Sequence, residues 1–63
     1  MNRLKTRRKE LGLTQKQVAE AAGLTCQSYQ RYECGKVIPT AVMAVRIAKI
    51  LETTVEYLYE SSG

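Results

Sequence analysis

TQKQVAEAAGLTCQSYQRYECG, residues 14–35, decides how this chain folds. Thr14 is a favourable N-cap, because its hydroxyl can accept a bond from a free backbone N–H at a helix start. It opens a helix over residues 15–22 that Gly23 ends, since glycine takes the left-handed backbone of a tight turn without a Cβ penalty. Thr25 repeats the signal and opens a second helix over residues 26–34, again followed by a glycine, Gly35. Val18, Ala19 and Ala22 share one face of the first helix, and Tyr29 and Tyr32 one face of the second. The small Ala19 lets the second helix cross closely, and Leu24 anchors the turn between them. Two short helices in this register, joined by Ala22–Gly23–Leu24–Thr25, read as one unit.

The same punctuation extends outward in both directions. Asn2 is placed to cap a first helix running to about Leu11, with Gly12 as its stop. Pro39 and Thr40 open a fourth helix, from about Ala41 to Leu51, and Thr54 caps a last short turn through Val55, Tyr57 and Leu58. Ala41, Ala44, Ile47, Ala48 and Leu51 recur at three- and four-residue spacing and are expected to line the fourth helix. Leu13, Leu24 and Ile38 sit in the links, where they are expected to plug gaps in the core. Sustained apolar/polar alternation, the signal of strands, is missing. The expected fold is all-α: a compact bundle of five short helices, in one domain covering residues 1–63.

A chain of 63 residues has room for one small core and little supporting scaffold for a catalytic cleft. Apolar residues make up 44% and charged ones 25%, close to globular averages, which argues against wholesale disorder. The chain has no His, Asp or Trp, so most triads, acid–base dyads and metal sites lose their usual parts, and neither an enzyme nor a cofactor is expected. Cys26 and Cys34 are two ligands short of a structural zinc site. On one helix they lie about 12 Å apart along its axis, beyond disulfide reach, so two reduced thiols are expected. The longest apolar run, Ala41 to Val45, is too short for a membrane span, and no signal peptide opens the sequence. A soluble, cytoplasmic protein is the expectation.

The net charge of +4 is unevenly distributed: residues 1–36 carry +5 and residues 37–63 carry −1. A basic half suggests a face for a polyanion. Arg3, Lys5, Arg7, Arg8 and Lys9 crowd the first nine positions, and for Lys5 and Lys9 a solvated helix face suffices. Arg8 differs, because it falls between Leu4 and Leu11 on the apolar side of its helix. A charge at a core edge needs a partner, and Glu33, four residues after Tyr29 on the inner side of its helix, is the candidate.

Residues 15–34 have the form of a helix-turn-helix. Leu11–Gly12–Leu13–Thr14–Gln15, Val18–Ala19, Ala22–Gly23–Leu24–Thr25, Tyr32–Glu33, Gly35–Lys36 and Ile38–Pro39 together resemble the phage-repressor family. These are the Cro/CI-type, or XRE-type, DNA-binding domains, and the resemblance covers roughly residues 3–58. It implies a lambda-repressor-like fold and a sequence-specific regulator of transcription, with repression, by occupying a promoter, the family's common mode. It also implies a bacterial or phage-encoded protein that joins the nucleoid when bound. The family pattern pairs an arginine and a glutamate at the places of Arg8 and Glu33.

By the same resemblance, the third helix lies in the major groove with Cys26, Gln27, Ser28 and Arg31 at base edges. Gln27 and Arg31 are four residues apart, opposite Tyr29 and Tyr32, so the helical period agrees with exposure of both. Gln suits adenine and Arg suits guanine, each in a bidentate pair. Gln15 begins the second helix, where free N–H groups and the positive dipole end favour phosphate. Similar proteins fasten that glutamine to the DNA backbone, with Lys16 beside it and Lys36 in the loop after the third helix.

Cys34 stands where the family usually has Asn or a similar polar residue, and a thiol is the weaker hydrogen-bond partner. Tyr29 replaces a smaller aliphatic residue, so it needs more space or a hydroxyl that reaches the surface. Glu52 and Thr53 replace the usual Gly and apolar residue, which is expected to strain that turn.

Val42, Met43 and Ile50 are left over once the fourth helix has its core face, and Tyr57 and Tyr59 follow. The resemblance implies dimerisation through the last helix and the loop before it, about residues 50–60, with Tyr57 and Tyr59 at the interface; the alternative is that both tyrosines cap the core. The expected partners are double-stranded DNA and a second copy of the chain, with no membrane and no small-molecule ligand. The alternative function is a protein-interaction module, such as an antitoxin, with DNA binding secondary.

Overall fold

In the computed structural model, which describes residues 2–60, four threonines each start a helix. The helices are α1 (Leu4–Glu10), α2 (Gln15–Ala22), α3 (Cys26–Cys34), α4 (Ala41–Ile50) and α5 (Val55–Tyr59). Thr14 Oγ1 accepts from Gln17 N–H at 3.1 Å, Thr25 from Ser28 at 3.1 Å, Thr40 from Met43 at 3.3 Å and Thr54 from Tyr57 at 3.1 Å. Each bond satisfies a backbone donor that has no partner within its helix, worth about 1 kcal/mol. At α2 the cap is reciprocal, because Gln17 Oε1 accepts the Thr14 N–H at 2.8 Å.

The start of α1 departs from the sequence reading. Arg3, not Asn2, occupies the N-cap position, and it makes no side-chain cap bond. Asn2 lies one residue earlier, yet its Oδ1 still accepts from Leu4 N–H at 3.0 Å. Its amide also donates to the Tyr32 carbonyl at 2.8 Å. A single side chain therefore starts α1 and ties it to the last turn of α3.

The helix ends follow one pattern with two kinds of residue. Gly23 and Gly35 both adopt positive φ, at 75° and 78°, and end α2 and α3. Beyond them, Leu24 N–H reaches back to the Ala19 carbonyl and Lys36 N–H to that of Arg31. After α4 the same left-handed position falls on Glu52, at φ 54°, with Thr53 N–H returning to the Ala48 carbonyl at 2.9 Å. Arg7 reaches this turn from α1, donating from Nε to the Leu51 carbonyl at 2.8 Å and from Nη2 to that of Glu52 at 3.2 Å. The turn thus keeps a glycine-like shape with a glutamate in it, held by two bonds from another helix.

Leu4, Val18, Ala19, Ala22, Tyr29, Ile47, Ala48, Leu51 and Leu58 make the core, where α2 packs on both α3 and α4, α1 on α3, and α5 on α4. Complete burial of a side chain the size of Leu or Ile contributes about 1.5–3 kcal/mol, so these few residues dominate the driving force. Leu11, Leu13 and Leu24 pack partly buried at its edge.

Two expected core residues do not join it. Ile38 is 79% exposed, since Pro39 is the buried residue of that link. Ala41, at the first position of α4, is exposed as well, and Ala44 is the first of its helix to turn inward. Met43 and Ile50, unassigned to the core by spacing, instead pack against it partly buried. None of the described helices is long and apolar enough to cross a membrane.

Glu52 generates a stability prediction. A left-handed conformation costs a residue with a Cβ about 1–2 kcal/mol, while glycine loses roughly 0.5–1 kcal/mol of extra backbone entropy on folding. Glu52→Gly keeps the backbone carbonyl that Arg7 holds, so it should stabilise the domain by about 0.5–1 kcal/mol. Thermal denaturation should show a midpoint a few degrees higher.

Candidate nucleic-acid interface

The two sides of α3 differ in kind. Tyr29 is fully buried and Tyr32 partly so, while Gln27, Gln30, Arg31 and Cys34 are exposed. Cys26 and Ser28 are half-buried at the flanks of the exposed stripe. Ser28 Oγ accepts a bond from the Thr25 hydroxyl at 3.0 Å, which draws it into the helix cap. Both cysteines are free thiols. Among the described residues no group of three or more His, Cys, Asp or Glu side chains is placed to hold a metal ion.

One buried ion pair, beside the packing of Tyr29, helps to hold α3 in place. Arg8 Nε donates to Glu33 Oε2 at 2.6 Å and Nη2 donates to Oε1 at 3.4 Å. The third arm, Nη1, donates to the Leu13 carbonyl at 2.9 Å, in the link before α2. The two side chains are only 10% and 4% exposed, so neither charge has water as a ready alternative. Burial alone would raise the Glu33 pKa, but the bonds from Arg8 and then Gln15 outweigh it and hold the carboxyl below its ordinary range. The bond to Glu33 raises the Arg8 pKa in turn, against its own desolvation.

Tyr29 lies beside this pair. Its hydroxyl is buried without a hydrogen-bond partner and does not reach the surface, contrary to one reading of its unusual size. Burial, reinforced by the negative charge of Glu33, pushes its pKa above the ordinary tyrosine range.

Gln15, at the start of α2, connects the ion pair to the exposed stripe. Its Nε2 donates to Glu33 Oε1 at 3.0 Å, and its Oε1 accepts from Gln30 Nε2 at 3.0 Å. The first turn of α2 therefore sits against the middle of α3. Lys16 is exposed next to Gln15, and Lys36 is exposed just past Gly35. On the other flank, Ser28, Arg31, Tyr32 and Val37 line a shallow groove between α3 and the link that follows it. Gln27, Arg31, Lys16 and Lys36 are thus exposed on, or next to, the helix-turn-helix.

Gln30 escaped the sequence reading. Its signal is its position three residues after Gln27, on the same exposed stripe, but only the fold shows that its amide meets Gln15. The basic cluster of α1 is also redistributed. Arg3 donates to the Tyr57 carbonyl at 2.9 Å, pairs with Glu60 at 3.4 Å and stacks 4.8 Å from the centre of the Tyr57 ring. Arg7 serves the turn after α4 and Arg8 serves Glu33, so only Lys5 and Lys9 stand exposed on α1's basic face. On α5, Tyr57 and Tyr59 are half-buried against the core. The Tyr59 hydroxyl is buried without a partner, and burial raises its pKa.

A model of the helix-turn-helix family matches residues 4–58, nearly the whole described fold. The chain belongs to this phage-repressor-like, XRE-type family. Among its relatives is the cryptic phage CTXphi transcriptional repressor RstR of Vibrio cholerae, 39% identical over 56 residues that cover 89% of this chain and 50% of that protein. An uncharacterised HTH-type transcriptional regulator of Methanothermobacter thermautotrophicus is 44% identical over 48 residues, covering 76% of this chain and 70% of its own. A further uncharacterised regulator, from Sinorhizobium medicae, is 33% identical over 61 residues, 97% of this chain and 44% of that one. The chain thus spans about half the length of the Vibrio and Sinorhizobium relatives. All three are named as regulators of transcription and none as an enzyme.

The family's helix-turn-helix here depends on Arg8–Glu33, which sets a measurable cost. Glu33→Gln leaves the Arg8 charge buried without its counter-charge, and breaking a buried pair from one side costs about 3–5 kcal/mol. The native Glu33 pKa lies below its unfolded value of about 4.3, so its contribution is present above that pH and is lost as pH falls through the folded pKa. Urea denaturation between pH 3 and 7 should show the parent losing stability below about pH 5, while the Gln variant is weaker at neutral pH and flatter across that window.

Proposed function

We propose that this chain binds double-stranded DNA sequence-specifically as a regulator of transcription. In this reading it is a repressor that reads a palindromic operator as a dimer through the major groove. The observation that carries the reading is the division of α3: Glu33 and Tyr29 lock its inner face, while Gln27 and Arg31 stand free on its outer one. A helix held on one side and polar on the other suits a groove whose edges are read by hydrogen bonds.

Each contact residue has a distinct task. Gln27 pairs with adenine and Arg31 with guanine, each adding about 1–3 kcal/mol of discrimination. Cys26 and Ser28 flank them at neighbouring base edges. Gln15 and Lys16, at the start of α2, bind phosphate where the helix presents free N–H groups, and Lys36 binds it after α3. Such contacts set register on the duplex without reading its sequence. Repression is supported by the Vibrio relative, named a phage transcriptional repressor.

Size and charge support the dimer. One module of this size buries a limited area on DNA and binds weakly alone. Two copies meet through Tyr57, Tyr59 and the turn before α5, where Arg3 is paired with Glu60 and Arg7 with Glu10, so that repulsion is small. Two-fold symmetry then requires an inverted repeat with half-site centres about 34 Å apart.

A second reading is favoured by one observation. Ile38 and Val42 are 79% and 73% exposed, and Val45 follows on the same side of α4 at 46%. This apolar surface suits a protein-interaction module, with DNA binding secondary.

In vitro selection against a random duplex pool at near-physiological salt separates the two. The regulator should enrich an inverted repeat with the one-turn spacing, and Gln27→Ala or Arg31→Ala should each relax preference at one base position by about 1–3 kcal/mol. Only salt-sensitive background binding, with no enriched sequence, would replace the regulator by the interaction module.

A further inference from the structure

Gln15 has one carbonyl oxygen and two amide protons to place. Its oxygen is taken by Gln30 and one proton by Glu33, each at 3.0 Å, which leaves a single N–H for an incoming acceptor. Glu33, which can only accept, fixes which way round the amide sits, and Gln30 completes it. Flipping it would turn the oxygen toward the Glu33 carboxylate, acceptor against acceptor, and the amino group toward the Gln30 amino group, donor against donor. Glu33 cannot adapt, because Arg8 holds both of its oxygens.

Gln30 is the outer end of this chain of bonds. Its Nε2 also lies 3.8 Å from Cys26 Sγ, one helical turn back, which keeps the side chain folded toward the start of α3. The series Arg8, Glu33, Gln15, Gln30 and Cys26 therefore passes from α1 to α3, across to the first residue of α2 and back to the first residue of α3.

We propose that Gln30 is a positioning residue that fixes the Gln15 amide, so that its one free N–H is set for a phosphate oxygen of the bound duplex. Gln30 then contributes to affinity through Gln15 and reads no base itself. The inference rests on the reading above, in which Gln15 meets the DNA backbone. Without Gln30, the Gln15 oxygen loses its anchor, only the bond to Glu33 still holds the amide, and the free donor is less narrowly aimed until the duplex holds it. The contact is then made at the cost of ordering the side chain on binding.

Four proteins test this: the parent, Gln30→Met, which keeps length but removes the donor, Gln15→Ala, and the double variant. Binding is measured on a short duplex recovered by selection and on a scrambled duplex of the same length, with thermal denaturation of each free protein. Gln30→Met should bind both duplexes about threefold to tenfold more weakly, as expected for one hydrogen bond, with its melting midpoint unchanged. The double variant should be no weaker than Gln15→Ala, since both remove the same contact. In the free parent, the Gln15 side-chain proton bonded to Glu33 should exchange more slowly than the free one, and Gln30→Met should speed it.

A loss confined to the selected duplex would show that Gln30 reads a base and would overturn the proposal. So would additive losses, or unchanged exchange of the Gln15 amide in Gln30→Met. If Gln15→Ala binds both duplexes as tightly as the parent, the phosphate contact of the underlying reading fails, and the role of Gln30 fails with it. The exchange measurement tells the two failures apart, because it needs no DNA.

Discussion

Arg8 and Glu33 form the constraint on which the arrangement of the other helices depends. A buried pair of this kind is a weak source of net stability, because removing both charges from water offsets much of their attraction. Its effect is positional. Arg8 emerges from α1 and spends its three donor groups on Glu33 of α3 and on the Leu13 carbonyl before α2. One side chain thereby links α1 both to α3 and to the start of α2, alongside the core packing of Tyr29 against α2. Once Glu33 is fixed inward, the helical period leaves Gln27 and Arg31 outward with no further specification.

The same economy governs the other arginines of α1. A count of charge treats residues 1–36 as a basic surface, yet Arg3, Arg7 and Arg8 all bond to other parts of the fold. Arg3 holds α5 through the Tyr57 backbone and ring, and Arg7 steadies the turn in which Glu52 takes a left-handed conformation. Planar guanidinium groups suit this work, since one side chain can serve two carbonyls at fixed angles. The exposed lysines beside the helix-turn-helix, Lys16 and Lys36, are single flexible charges. Arginine serves as internal bracing in α1, while these lysines are left to the surface.

Two departures from the family pattern fall at the brace and the turn after α4, while a third, Cys34, is exposed at the end of α3. Tyr29 fills the space beside Arg8 and Glu33 and buries its hydroxyl there, where a smaller side chain is usual. Glu52 replaces a glycine, and Arg7 supplies the bonds that hold the turn. Both of these sites lie away from Gln27 and Arg31 on the exposed side of α3.

Local signals in the sequence determined the helices and the division of α3. Thr14, Thr25, Thr40 and Thr54 act on N–H groups three residues away, and Gly23 and Gly35 act on the turn they occupy, so these boundaries can be read without knowing any neighbour. The inward face of α3 follows from the spacing of Tyr29, Tyr32 and Glu33, and Arg8 announced its need for a partner by sitting on an apolar face. Apart from Arg8–Glu33, contacts between distant elements were not legible in this way. Ile38 and Ala41 have core-like chemistry, but they are exposed because Pro39 and Ala44 take the inward positions. Met43 and Ile50 looked spare and are partly buried, since a one-dimensional period does not tell how wide a face the neighbouring helices cover. The tertiary structure alone decided that Asn2 ties to α3, that Arg7 reaches the end of α4, and that Gln30 meets Gln15. Those bonds join residues 15 to 44 positions apart, and only the packing angles of the helices bring their ends within 3 Å.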